Sequence, residues 1–197
     1  MDIDQFNSAV NSLIREVVNQ APVINTSLTV SALSLIHSRI TDEGISGKKY
    51  STNPLPSYYF TGKSISESGE DNTKAKIKKN RKAGIFGISY SDFRDAQGLQ
   101  TNHVDLKLSG DMWRDLGFTD SGFTDKAVST IGSGLKYTSN AGFRGSITYE
   151  NGKTTSDIAD YNAERYGDFL TPTKQEETIL DNALDEELQQ LINQYFT

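Results

Sequence analysis

The stretch HVDLKLSGDMWRDLGF, residues 103–118, begins with an alternating pattern. Val104, Leu106 and Leu108 lie two residues apart, and this spacing places all three side chains on one face of an extended chain. The polar residues between them point to the opposite face. This half of the stretch therefore predicts a strand over residues 103–108 with one buried face.

The second half of the stretch changes to a helical pattern. The hydroxyl of Ser109, followed by Gly110, can cap free amide groups at a helix start, and Asp111 complements the positive end of the helix dipole. Gly117 is expected to end this helix after about two turns. The stretch thus predicts a strand that turns into a short helix carrying Trp113, the only tryptophan of the chain.

The composition limits the classes of protein to consider. Hydrophobic residues make up 35% of the 197 residues, which is low for a compact monomer and favours a modest core or a subunit completed by neighbours. The net charge of −6 argues against a dedicated nucleic-acid-binding protein. The absence of cysteine excludes disulfides and thiolate sites. The acidic start and the lack of a long apolar run lead us to expect a soluble protein made in a cytoplasm.

Periodicity along the chain predicts an α+β fold in a single domain. Apolar residues at helical spacing predict two N-terminal helices, the first ended by Ala21-Pro22 and the second by Gly44. Thr173 and Glu176 form a capping box before a long amphipathic C-terminal helix. Between these ends we expect a mostly antiparallel sheet and a short helix that is capped by Ser156 and ended by Gly167. The strands are predicted at residues 85–88, 103–108, 135–139 and 144–149, with a hairpin turn at Asn151-Gly152.

Residues 61–83 lack an apolar rhythm, which predicts a mobile loop. The end of this segment holds six cations, Lys74, Lys76, Lys78, Lys79, Arg81 and Lys82. These cations are typical of a solvated loop, and they also suit contact with phosphate or with an acidic partner. From Glu150 onward the chain has eleven Asp or Glu against three Lys or Arg, so it is bipolar and can attract copies of itself head to tail.

The sequence offers little catalytic chemistry. His37 and His103 are the only histidines, and their isolation favours hydrogen-bonded structural roles over metal binding. None of the recognised phosphate-binding loops or nucleophile motifs is present in the sequence. We therefore expect a protein that is not an enzyme, with no catalytic residues, no metal site and no cofactor.

Three stretches resemble the neck and tail-completion proteins of tailed bacteriophages, the virion morphogenesis family. SRITDEGISGKKYS (38–51) is similar to the end of that family's first long helix and the turn after it. VDLKLSGDMWRDLGF (104–118) is similar to its strand that turns through Ser-Gly into a short helix. IADYNAERYGDFLTPTKQEE (158–177) is similar to the region before its last helix. The stretch 93–113 also resembles sequences of gut Bacteroidota phages, including crAss-like phages.

The resemblance assigns roles to single positions and also has gaps. Ser109-Gly110 matches the family's turn, Tyr166-Gly167 its aromatic-glycine pair, and Phe169-Leu170 the anchor before the last helix. The histidine that the family often carries after Tyr-Ala is replaced here, with Asn162 at that place. A Pro-Ala-Arg-Pro stretch is missing, and residues 61–83 have no counterpart.

The resemblance implies a structural protein of the virion, assembled in the host cytoplasm. Such subunits form a six- or twelve-fold ring between the capsid portal and the tail, with portal, neck or tail proteins as neighbours and without a membrane. Ser109, Gly110 and Trp113 would fix the corner between strand and helix. The cations of residues 74–82 would meet a neighbouring protein or the passing genomic DNA. Two alternatives are a phage hydrolase and a nucleic-acid-binding module that uses the 74–82 run.

Overall fold

The protein is an α+β protein, as the sequence predicts, and the computed structural model describes residues 2–124 and 136–196. We expected a single domain, and the contacts distribute the chain over two compact units. Unit 1 comprises Met1–His37, Asp115–Ser146 and Leu170–Thr197, and unit 2 comprises Ser38–Arg114 and Ile147–Phe169. The elements, in chain order, are α1 (Ile3–Asp42), β1 (Pro54–Leu55), a 3-10 helix (Ser57–Tyr59), α2 (Glu67–Lys82), β2 (Ile88–Ser89), α3 (Tyr90–Ala96), α4 (Asp111–Arg114), β3 (Leu116–Thr124), β4 (Lys136–Phe143), α5 (Thr155–Tyr166) and α6 (Lys174–Phe196).

Helix α1 runs unbroken for 40 residues with Pro22 inside it, so the prediction of two N-terminal helices was wrong. Proline removes one backbone hydrogen bond, but the helical spacing of apolar residues continues in phase across it, from Val17 to Ile24 and Leu28. Packing along this continuous apolar stripe therefore outweighs the loss of one backbone hydrogen bond at Pro22. The predicted end is confirmed, because the helix stops at Asp42 and Gly44 follows with φ of 82°.

The core of unit 2 forms around two very short strands. β1 and β2 pair antiparallel, Pro54 with Ser89 and Leu55 with Ile88. Phe60, Ile88 and Phe93 form a buried cluster, against which Ile77, Tyr90 and Leu108 pack. The rings of Phe60 and Phe93 stack with centroids 4.8 Å apart. The strand predicted at residues 85–88 is thus reduced to Ile88 and its neighbour Ser89.

The alternating segment 103–108 is not a strand, and this prediction was wrong. Val104 is buried as expected, but Asp105, expected to face solvent, is only 4% exposed. Leu106 takes a positive φ of 55°, which breaks the alternation of an extended chain. The segment is bent because Asp105 turns inward to a buried partner.

That partner is Arg94 of α3, which lies 1% exposed. Its Nη2 donates to both carboxylate oxygens of Asp105, at 2.9 and 3.1 Å. The Tyr50 hydroxyl donates to Asp105 Oδ1 at 2.7 Å and accepts from the backbone N–H groups of Asp105 and Leu106. Burial raises the pKa of Tyr50 well above its ordinary value, against the lowering influence of Arg94, so the phenol stays protonated. A satisfied polar network, rather than a strand, holds this segment.

The corner that follows agrees with the sequence only in part. Gly110 has φ of 86° and its carbonyl accepts from Arg114 N at 3.1 Å, so it occupies the cap of the short helix α4. Ser109, expected to be the cap, lies one residue earlier, where its hydroxyl accepts from Asp111 N at 3.4 Å. Trp113 is half-buried, and its indole N–H donates to the carbonyl oxygen of Asp105 at 3.1 Å. Trp113 thus ties α4 to the bent segment.

The remainder of unit 2 is organised by local caps. Residues 144–149 form no strand; only Thr148 and Thr154 make an isolated antiparallel bridge around the predicted turn at Gly152, which has φ of 77°. Helix α5 is capped by Thr154, whose hydroxyl accepts from Asp157 N in a capping box, and not by Ser156 as expected. It ends at Gly167, as predicted.

Unit 1 contains α1 up to His37, the β3–β4 hairpin and α6. Gly117, expected to end the short helix, lies in β3 and pairs with Gly142. The strand predicted at residues 135–139 belongs to the longer β4, and Leu135 lies outside the described residues. The capping box of α6 is confirmed, since Thr173 N donates to Glu176 Oε2 at 2.7 Å and Glu176 N donates to Thr173 Oγ1 at 3.3 Å.

Candidate partner-binding groove

The basic segment lies on helix α2, so the prediction of a loop over residues 61–83 was wrong for Glu67–Lys82. The Ser66 hydroxyl caps the helix by accepting from Gly69 N at 3.1 Å. The first turn carries Glu67 and Glu70 and the last turns carry the cations, an order that complements the helix dipole. Charge order and a cap, rather than an apolar stripe, mark this sequence as helical.

Polar side chains attach α2 to the rest of unit 2. Gln97, at the end of α3, donates to the Gly69 carbonyl at 3.0 Å and to the Thr73 hydroxyl at 2.9 Å. A Cβ at position 69 would collide with the Gln97 amide, so the glycine is needed for this close approach. Asn80 donates to the Gly87 carbonyl at 2.9 Å further along the helix. These bonds fix which face of α2 is turned to the core.

One of the six predicted cations takes part in this attachment. Lys76 Nζ lies 2.6 Å from Asp95 Oδ2 and 3.6 Å from Asp92 Oδ1, both on α3. Partial burial opposes the charged form, but the hydrogen bond and the charge of Asp95 raise the pKa of Lys76 above its ordinary value. Lys76 is therefore an internal ion-pair partner rather than a contact for another molecule.

The remaining five cations divide between two faces of α2. Lys74, Lys78 and Arg81, at spacings of four and three residues, share one helix face and line an open-sided groove of about 510 Å³. Lys79 and Lys82 are exposed and do not line it. The opposite wall of the groove comes from the 3-10 helix and the loop after it, and its lining residues there are Ser57, Phe60, Thr61, Gly62 and Ser64. We call this cleft the α2 groove.

The charge of the α2 groove is only partly neutralised. Lys74 Nζ lies 2.7 Å from Glu70 Oε1, an exposed i, i+4 pair within the helix. Lys78 and Arg81 make no ion pair with any residue that the structure describes. The groove therefore presents a net positive charge, with Ile77 as its half-buried apolar floor.

An exposed aromatic pair stands beside the groove wall. Tyr58 and Tyr59 stack with ring centroids 4.7 Å apart and are 69% and 46% exposed. They follow Ser57, which lines the groove, within the same 3-10 helix. Tyrosine and arginine are enriched in protein contact surfaces, whereas lysine is depleted. The groove and its rim therefore combine two residue types that are common in protein contacts with the positive charge of Lys74 and Lys78.

The two histidines occupy different settings. His103 Nε2 lies 3.0 Å from the Thr41 carbonyl, and its ring packs so closely on Gly44 that a Cβ there would overlap it. This supports the structural role expected for His103. His37 lies exposed on α1. Within residues 2–124 and 136–196, no group of three or more His, Asp or Glu is arranged to hold a metal ion.

Arg94, Asp105 and Tyr50 were not singled out from the sequence, and neither was Gln97. The alternation rule assigned Asp105 to the solvent face, and no local pattern pairs it with Arg94 eleven residues earlier. Gly69 was the one available hint, because a glycine inside a helical segment often marks a close approach. Long-range polar pairing leaves no periodic trace in a single sequence.

Comparison with protein-family models, with curated proteins and with solved structures finds no match to this chain. None of the helices in the described ranges is both long enough and apolar enough to cross a bilayer.

Proposed function

We propose that this chain is a structural subunit of a tailed-bacteriophage virion, one of several copies in the ring that joins the capsid portal to the tail. The proposal combines the sequence resemblance with the surfaces of unit 1. It assigns the chain a role in assembly, with copies of itself and portal, neck or tail proteins as partners and the virion as its location.

The observation that carries the proposal is the exposure of apolar residues on the helices of unit 1. On α1, Ile3 is 79%, Val23 64% and Val30 52% exposed, and on α6 Ile179 is 52% exposed. Val23 and Val30 lie seven residues apart, hence on the same helix face. Leaving apolar area in water forgoes about 25 cal/mol per Å² of burial, so such faces favour coverage by neighbouring subunits.

Local features of the resembling stretches also support the proposal. Ser109-Gly110 does turn the chain into a short helix, with Gly110 in the left-handed region. Gly167 ends α5 with φ of 91°, and Phe169 is an anchor only 3% exposed. The strand that the resemblance places before Ser109-Gly110 is not formed, so the support comes only from these turns and from the buried Phe169.

The test is to follow the protein in its phage. We expect an epitope-tagged chain to copurify with virions through a density gradient and gold-labelled antibody to mark the neck. Deletion of the gene should give separate heads and tails, because the joining ring is incomplete. Absence of the protein from purified virions, with normal particles after deletion, would contradict the proposal.

The nucleic-acid alternative has one observation in its favour: Lys78, Lys79, Arg81 and Lys82 of α2 are exposed and make no ion pair with a residue that the structure describes. The net charge of −6 opposes it, because phosphate binding depends on overall as well as local charge. Fluorescence anisotropy with duplex DNA separates the two: a DNA binder should lose affinity steeply with salt, by a log–log slope close to the number of phosphates contacted. The hydrolase alternative has no supporting cluster of convergent polar groups among the described side chains.

A further inference from the structure

The α2 groove carries an ordered row of positive charge. The row from Lys74 through Lys78 to Arg81 spans seven residue steps of helix, an axial length of about 10 Å at about 1.5 Å per step. All three are exposed, and Lys78 and Arg81 are without an ion pair to any described residue. A partner that fits this row needs negative groups repeated at helical spacing.

Helix α6 carries such a row. It holds six carboxylates against one cation, Lys174. Glu177, Asp181 and Asp185 recur every four residues and are exposed, and none of them makes an ion pair with a residue in the described parts of the chain. The row spans eight residue steps, or about 12 Å.

The two rows are similar in length and spacing and opposite in sign. Successive charges lie about 6 Å apart where the step is four residues, in both helices. Beside the charges, Ile77 offers apolar surface in the groove, and Leu184 and Leu188 offer half-buried apolar surface on α6. A helix laid along the groove would thus place carboxylates against cations and apolar side chains against each other.

We infer that the α2 groove of one subunit binds the acidic helix α6 of a second copy of this chain. The two surfaces differ, so the contact is head to tail, and repetition of a head-to-tail contact closes into a ring when the rotation allows it. The inference rests on the proposed function, because both require that several copies of the chain assemble together. It adds the surfaces through which the copies meet.

Charge reversal on the full-length chain tests the contact. Lys78→Glu with Arg81→Glu reverses the groove, and Asp181→Lys with Asp185→Lys reverses the α6 row. We expect each double variant to weaken self-association by about tenfold or more in sedimentation velocity over a range of concentrations, because like charges then face each other. An equimolar mixture of the two variants should regain association through the swapped contact.

Matched controls use charges of the same helices that lie outside the rows. Lys79→Glu with Lys82→Glu changes α2 by the same charge, and Glu186→Lys with Glu187→Lys does so for α6. We expect both controls to associate as the natural chain does. Circular dichroism melts of every variant check folding, and recovery in the mixture shows that the two reversed variants are folded.

Several outcomes would overturn the inference. They are a natural chain that stays monomeric at all concentrations and at low salt, controls that weaken association as much as the reversals, and a mixture without recovery. A groove reversal that abolishes duplex DNA binding while self-association persists would assign the groove to DNA instead. The virion test is independent of these outcomes. If the chain is found in the neck but its self-association does not change with either charge reversal, the proposed function stands and this contact is wrong.

Discussion

Unit 2 and unit 1 use their side chains in opposite ways. Unit 2 buries a cluster of aromatic and aliphatic residues and turns the ion pair of Arg94 with Asp105 completely inward. In unit 1 the buried apolar side chains among those described are Ile36, Phe143 and Leu191, although its two long helices make up most of its length. From the side chains that the structure describes, we expect unit 2 to contribute more to the stability of the isolated chain, and the exposed helix faces of unit 1 suit the proposed assembly.

The charges follow the same division. In unit 2 a buried arginine and a half-exposed lysine are tied to carboxylates of their own unit. In unit 1 the buried Asp115 is paired with Arg144 and accepts from Ser146 N, whereas the carboxylates of α6 mostly face solvent, with Glu176 of the capping box the buried exception. The solvent-facing carboxylates of α6 are the part of unit 1 that suits the proposed contact with a second copy.

Breaking the buried ion pair should give the largest effect. We expect Arg94→Met to lower the free energy of unfolding by about 3–5 kcal/mol, because it leaves the Asp105 carboxylate buried without its partner. Urea denaturation followed by circular dichroism measures this. The double variant Arg94→Met with Asp105→Leu should recover part of the loss, and a double variant that is as unstable as the sum of the single changes would contradict this explanation.

An apolar truncation in each unit tests the comparison directly. Ile88→Ala, at a fully buried site of unit 2, should cost about 2–5 kcal/mol of unfolding free energy. Val23→Ala, at a 64% exposed site of unit 1, should stay within about 0.5 kcal/mol. Thermal melts of the two purified variants give both values side by side. Equal losses would mean that unit 1 contributes as much stability as unit 2.

The polar attachment of α2 should respond to a single methyl group. Gly→Ala inside a helix normally stabilises it, but Gly69→Ala should cost about 1–3 kcal/mol because the new Cβ meets the Gln97 amide. A double-mutant cycle with Gln97→Ala provides the control, since removal of the amide gives the methyl group room. Additive losses would show that position 69 is limited by something other than Gln97.

The smallest effect concerns pH. Burial works against the charged form of Asp92, yet hydrogen bonds from the Ser89 side chain and backbone lower its pKa below the ordinary carboxyl value. The folded state therefore favours the carboxylate, and its stabilisation is complete above the ordinary pKa and is lost as the pH falls through the lowered one. Urea melts between about pH 6 and about pH 3 should show a shallower acid loss for Asp92→Asn. Ser89→Ala, which removes a donor at 2.7 Å, should change the profile in the same direction.

The features that the sequence predicted correctly are those decided within a few residues. The α6 capping box and the stops at Gly44 and Gly167 depend on one side chain or one backbone angle, so the local sequence contains the whole cause. The α+β class also follows, since the helical stripes at both ends are long.

The sequence predictions that were wrong concern segments whose conformation depends on residues distant in the sequence. The local preference of proline predicts a break at Pro22, but the apolar stripe of α1 continues past it. Residues 67–82 lacked an apolar rhythm because Gln97 and other polar groups hold that helix. The bend at Asp105 depends on Arg94, and no local sequence pattern near either residue predicts that they pair. Of the candidate site, the cations were predicted, while the groove, its opposite wall and the separation of Lys76 from the rest required the fold.

The Tyr50 hydroxyl has a consequence for how this sequence can change over time. One oxygen donates to Asp105 and accepts from two backbone N–H groups, while the ring lies 4.2 Å from the Arg94 guanidinium carbon. Loss of any one of the three side chains leaves the other two buried without that polar partner. A single substitution would therefore be selected against even if a different set of three residues served equally well. Positions 50, 94 and 105 are therefore expected to be inherited as a unit: relatives should keep all three residues or have replaced them together.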